Sequence, residues 1–197
     1  MLSGVLGIMT DGADRIFPAT KFLMLIFRET LRTARLLLIC FSAVLSLAIV
    51  GAPLLAAHAH PRLAEFLYLF FSPVCHQMRQ RSFALQGMSW AVCHRCAGIY
   101  FGLFAGSLLP RRWWASSFSV ERRRICVLLA AGPLLLDVVL PYAGLWNNSA
   151  TSRFLTGFLF GTMLMTLLLP GAAEILYEIR LQQSAGSHAS ETEGGVP

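Results

Sequence analysis

A chain of 197 residues with 56% hydrophobic and only 13% charged side chains departs from the composition of soluble domains, which carry about 25% charged residues. Mean hydropathy is +0.63, so the chain belongs in a bilayer. The net charge of +6 comes almost wholly from arginine, Lys21 being the single lysine. No basic run is interleaved with aromatics in the manner of a nucleic-acid binder, so the arginines call for lipid topology or an anionic ligand.

Residues 1–20 carry Asp11, Gly12, Asp14 and Pro18 without a sustained period, and read as a loosely held leader. Their apolar start lacks the basic region of a signal peptide. From Lys21 to Arg35, Phe22, Leu25, Ile26 and Leu31 share the stretch with Arg28, Arg32 and Arg35, the pattern of an amphipathic helix at the membrane surface. Leu36 to Ala57 is an uninterrupted apolar run of about the 20 residues that cross a bilayer. The small-x-small end Ala57-His58-Ala59 resembles a cleavage site, but about 35 residues precede the apolar core, so a retained anchor is expected.

A second apolar piece, Phe66 to Val74, is too short to cross and reads as re-entrant or interfacial. A third segment runs from Met88 to Leu109, with Gly98, Gly102 and Gly106 on one helix face. Ile125 to Ala143 follows, with a kink expected at Gly132-Pro133 and Asp137 in its second half. The last segment, Phe154 to Leu169, carries Gly157 and Gly161. Glycines four apart let helix backbones approach closely, and packing is the expected role of both ladders. Residues 181–197 are polar and should be disordered. The expected organisation is a leader and basic helix over 1–35, a transmembrane domain over 36–180 and a tail over 181–197.

Charge decides the topology. Lys21, Arg28, Arg32 and Arg35 precede the first span, and Arg111, Arg112, Arg122, Arg123 and Arg124 follow the third segment. With both blocks cytoplasmic, the fold class is an all-α membrane protein of about four transmembrane helices plus one short re-entrant or interfacial segment, with both termini inside. Five spans would put one of the basic blocks outside. A bacterial inner, or plasma, membrane suits this arrangement.

The topology brings residues 75–96, the end of the fourth segment from Asp137, and the loop Trp146 to Arg153 to the outer face. Cys93 and Cys96 open a helix three residues apart and can aim both sulfurs at one point, as in zinc knuckles and in redox pairs. Cys75 and His76 could complete a Cys3His set around zinc, with His94 or a water as another choice of fourth ligand. Copper, an iron centre, disulfide exchange and simple burial are the competing readings of these thiols.

Arg81, Arg95 and Arg153 are placed toward the same face, where Ser82 and Thr156 could join them in binding an anion. Asp137 within a span is a candidate general base, metal ligand or arginine partner. For Thr156, a bond to its own helix carbonyl competes with that role. The residues are compatible with catalysis at Asp137 and Arg95 on an anionic lipid or isoprenoid phosphate, with thiol-disulfide exchange, or with a non-catalytic membrane subunit holding a structural metal.

The motifs Cys75-His76-Gln77, Arg81-Ser82, Val92-Cys93-His94-Arg95-Cys96-Ala97-Gly98-Ile99-Tyr100-Phe101-Gly102, Asp137 and Arg153-Phe154-Leu155-Thr156-Gly157 resemble those of an uncharacterised family of small bacterial and archaeal integral membrane proteins, a domain of unknown function. The resemblance covers about residues 66–165 and favours His76 over His94 as a ligand. Two departures stand out: Val138 follows the aspartate where the family often has Gly and then Gln, and no Gln occurs between Asp137 and Gln182. The resemblance implies no activity.

Overall fold

The structure, a computed structural model, describes residues 3–58, 60–110, 120–145 and 147–193, with side chains over 28–183 of these apart from positions 120 and 142. Arg111 and Arg112 of the expected basic loop, and Trp146, lie outside the described residues. The elements in order are α1 (Ser3–Ala57), α2 (Pro61–Phe71), a 3-10 turn (Arg79–Arg81), β1 (Ala84–Leu85), β2 (Met88–Ser89), α3 (His94–Leu108), α4 (Val120–Tyr142) and α5 (Ala150–Glu193). The backbone is helical through the stretches read as leader and tail, from Ser3 and as far as Glu193.

Among the described residues, three stretches are long and apolar enough to cross a membrane: Arg28–Ala57 in α1, Glu121–Pro141 in α4 and Ala150–Gln183 in α5. α3 is not among them. The expected segment over 88–109 is shortened from its front, because Met88 and Ser89 pair as β2 and Cys93 is extended, with φ −71 and ψ 166. What remains is 15 helical residues, about 22 Å at the helical rise per residue. α2, at 11 residues, reaches about 16 Å and is too short to cross, as expected of the second apolar piece.

The chain divides into two compact units. One comprises Met1–Arg35 with Pro170–Pro197. In it Thr30 is fully buried, and Arg180 reaches Thr30 Oγ1 at 3.5 Å and Thr33 Oγ1 at 3.4 Å. The other, Leu36–Leu169, holds every expected site residue.

Within this second unit, α3 and α5 meet backbone to backbone. A Cβ added at Gly98 would stand 2.2 Å from the Phe154 carbonyl oxygen, and one at Gly102 would stand 2.2 Å from that of Phe158. From the other side, a Cβ added at Gly157 or Gly161 would stand 2.3 or 2.2 Å from the carbonyl oxygens of Arg95 and Ile99. Both glycine ladders therefore pack helices, in one shared seam. Thr162 Oγ1 donates across it to the Gly102 carbonyl at 3.2 Å, and Ser46 on α1 donates to the Tyr100 carbonyl at 3.5 Å.

Ile49 and Ala52 of α1, Phe71, Cys75, Ala91, Val92 and Ala97 form the core next to the seam. The outward faces are apolar: Leu128 and Leu129 on α4 are each 70% exposed, and Phe66 and Leu69 on α2 are exposed as well. Exposed apolar surface of this kind is what a bilayer covers.

Candidate metal centre and polar pocket

The site begins where α2 ends. Cys75 N–H still donates to the Phe71 carbonyl at 3.0 Å, so the thiol is carried on one last helical turn into the core. The chain then turns at Gln77, whose φ of 50° is unusual for a residue with a side chain. Two contacts hold that turn: Gln77 N–H points to Cys75 Sγ at 3.5 Å, and its Nε2 donates to the Tyr68 carbonyl at 2.6 Å.

Residues 84–89 form a hairpin, with Leu85 opposite Met88. Gln86 and Gly87 both have positive φ, 52° and 80°, the requirement of a two-residue type I′ turn. Tyr68 Oη donates to the Ser89 carbonyl and pins the hairpin to α2. Trp90 N–H reaches the Phe83 carbonyl at 2.7 Å, and the chain enters α3 with Cys93 as its N-cap.

This path brings the sulfurs of Cys75, Cys93 and Cys96 within 4.8 Å of one another. Cys75 is buried and the other two partly so, and all three are free thiols. Cys93 N–H donates to Cys75 Sγ at 3.2 Å. The Cys75 thiol, and after it that of Cys96, donates a hydrogen bond to Cys93 and holds its pKa far below the usual thiol range. The amino end of α3 adds its partial positive charge to the same effect. Such a trio could hold a metal ion. His76 is exposed and stands outside it.

Beside the thiols, Arg95 and Asp137 form an ion pair, with Nε donating to Oδ2 at 2.6 Å and the Asp137 side chain only 4% exposed. Ser152 Oγ donates to the second carboxylate oxygen at 2.7 Å. The Asp137 carbonyl accepts from Arg95 Nη2 and from Asn148 Nδ2. Both oxygens of the carboxylate are thus engaged, and Asp137 acts as the counter-ion of Arg95.

Ser149 caps α5, its Oγ accepting from Ser152 N–H at 3.0 Å, which places Ser152 and Arg153 on the first turn facing Asp137. Arg153 lies within electrostatic reach of Arg81, Arg95 and Asp137. Ser82 is buried and donates to the Met78 carbonyl at 3.0 Å, closing the 3-10 turn. Thr156 Oγ1 donates to the Ser152 carbonyl at 3.0 Å. Both hydroxyls are thus used by the local backbone, whereas Arg81 is exposed.

Ser152 and Asn148 lie in the loop expected at the outer face, but the sequence assigned neither a role in the site. A serine ahead of an apolar run, Ser149, signals the helix start that would have pointed to them. His94, considered only as a metal ligand, is 7% exposed and edge-on to Phe83, with ring centroids 4.4 Å apart.

Residues 75–167 match the family described as "Predicted membrane protein (DUF2085)". The chain is 34% identical over 113 residues to an uncharacterized protein of Methanocaldococcus jannaschii, covering 72% of that protein and 57% of this chain. The chain belongs to this family of predicted membrane proteins. A second similar protein, an uncharacterized one from Methanothermobacter thermautotrophicus, shares 30% identity over 101 residues, 86% of its own length and 49% of this chain. No solved structure matches the chain. The matched region opens at Cys75 and includes the three thiols, the Arg95–Asp137 pair and the glycine seam.

Proposed function

We propose that this membrane protein binds a metal ion, most suitably zinc, on the thiolates of Cys75, Cys93 and Cys96. An adjoining pocket of Arg81, Arg95, Asp137 and Arg153 at the outer membrane interface receives an anionic lipid or isoprenoid phosphate. The observation that carries the metal reading is the meeting of the three sulfurs within 4.8 Å, with the Cys93 N–H already directed at Cys75 Sγ. Thiolates suit zinc, and three protein ligands leave a fourth position for water or a ligand group. In this reading His76 is dispensable for the metal, and Arg95 and Asp137 position the pocket rather than exchange protons.

The accompanying topology has four crossings. α3 is the additional one, short but held along its length by α5, and α2 lies at the outer interface. Both termini are then in the cytoplasm with the basic residues before α1's apolar run and after α3, as the positive-inside rule requires of a plasma-membrane protein.

Elemental analysis of the detergent-purified protein tests the metal. One ion per chain is expected, lost in Cys93→Ser and retained in Cys40→Ser and His76→Ala. A well-folded protein without metal, in which two of the three thiols become alkylatable only after reduction, would establish disulfide chemistry instead.

A further inference from the structure

A cavity of about 380 Å³ lies between the end of α1, the middle of α2, the turn over residues 77–79 and the hairpin. That volume is at the lower end of the range for small-molecule sites, enough for a compact polar group rather than a whole lipid. The cavity shares no residue with the thiol trio or with the pocket of Arg81, Arg95, Asp137 and Arg153. Its lining residues are all exposed or half-buried, so it opens to the surface.

The walls are fixed by the contacts that hold the hairpin. Tyr68 Oη donates to the Ser89 carbonyl, and Gln77 Nε2 donates to the Tyr68 carbonyl at 2.6 Å, which ties α2, the turn and the hairpin around the space. Ala84 and Ser89 are direct partners in the ladder and present their side chains on one face of it. Both line the cavity, and both are small, so the ribbon leaves the space open. A Cβ added at Gly87, another lining residue, would meet nothing within 4 Å.

Among the described residues, Arg79 is the one charged member of the lining, and it has no hydrogen-bond or ion-pair partner. Ser89 Oγ and Gln77 Oε1 are likewise unengaged. A lone guanidinium matches a singly charged anion and can hold two phosphodiester oxygens at once. With no carboxylate in the lining, the ammonium of a zwitterionic headgroup would find no partner there, whereas the hydroxyls of a glycerol would meet Ser89 Oγ and Gln77 Oε1. The source of such a group is at hand, because α2 is too short to cross a bilayer and exposes Phe66, Leu69 and Phe70. We infer that this cavity seats the headgroup of a phosphoglycerol lipid, with Arg79 on the phosphodiester and Ser89 and Gln77 on the glycerol hydroxyls.

The test uses the full chain, delipidated in maltoside detergent, and counts bound lipid by native mass spectrometry as phosphatidylglycerol or phosphatidylcholine is added. One phosphatidylglycerol is expected to bind in preference to phosphatidylcholine. Arg79→Gln should weaken it about ten-fold or more, the effect of losing a charge-assisted hydrogen bond. Ser89→Ala should weaken it about three-fold, as for a neutral hydrogen bond. Ala84→Leu places a larger side chain on the exposed face of the hairpin, keeps the charge, and should also weaken binding by filling the cavity.

Two arginine variants serve as controls. Arg62 is exposed on α2 outside the lining, and Arg153 belongs to the pocket proposed above, so Arg62→Gln and Arg153→Gln should both leave the phosphatidylglycerol preference in place. Equal affinity for the two lipids, binding unchanged in both Arg79→Gln and Ala84→Leu, or a loss in Arg62→Gln as large as that in Arg79→Gln overturns the seat. Loss of the preference in Arg153→Gln alone overturns it as well, by moving the lipid to the other pocket.

Discussion

The seam between α3 and α5 and the polar wall beside it share those two helices, but the wall also draws Asp137 from α4 and Cys75 from beyond α2. Along the seam a single methyl group at Gly98, Gly102 or Gly161 has no room. At the wall, one turn away, three buried polar atoms lack partners and three thiols crowd one another. The difference separates what the helices need in order to stay together from what they hold ready for a ligand. Close backbone approach fixes α3 rigidly, and rigidity lets Cys93, Cys96 and Arg95 on its first turn keep their places while unsatisfied groups remain beside them.

Breaking the seam should have the largest effect. Gly102→Leu would drive a side chain into the Phe158 carbonyl, and a loss of at least about 3 kcal/mol, read as a collapsed yield of monodisperse protein, is expected. Gly132→Ala is its control. Nothing lies within 4 Å of that position, so helix propensity alone should raise stability by up to about 1 kcal/mol. Equal losses at both positions would mean that the close approach is not what holds α3.

At the wall, Asp137→Asn leaves Arg95 without its counter-ion and should cost about 3–5 kcal/mol in thermal unfolding, the range for removing one partner of a buried ion pair. Arg95→Met in the same chain should recover part of that loss. A double variant as unstable as the two single losses combined would show that the pair contributes through separate contacts rather than through each other. The smallest change is Tyr68→Phe, which removes one hydrogen bond to the hairpin and should lower stability by about 1 kcal/mol. Because Tyr68 also receives the Gln77 side chain at its carbonyl, metal content in this variant should stay intact.

The seam was legible in the chain because its signal is local: glycines four residues apart lie on one helix face whatever surrounds them. Cys93 and Cys96 were legible for the same reason, and Asp137 stood out as an acid among leucines and valines. The role of His76 was not legible. Neighbouring residues look equally available on paper, and only the folded chain shows Cys75 buried in the core and His76 exposed. Ser82 and Thr156 had the right chemistry for ligand binding but found nearer partners in their own backbone. The crossing length of α3 was overestimated because the apolar residues before Cys93 belong to a hairpin, whose positive-φ turn falls on Gln86 and Gly87.

What the sequence by itself determined is therefore everything that depends on short-range repetition and composition: residence in a membrane, the three long apolar helices, the glycine ladders and the paired cysteines. Tertiary structure alone decided which distant groups meet. It joined Cys75 to Cys93 across a hairpin, assigned Asp137 to Arg95 and Ser152, and left Arg153, His94 and Asn148 with unsatisfied atoms beside them. The physical reason is that hydrogen bonds and ion pairs are settled by the first suitable partner within about 3 Å, a distance that spacing along a chain does not record.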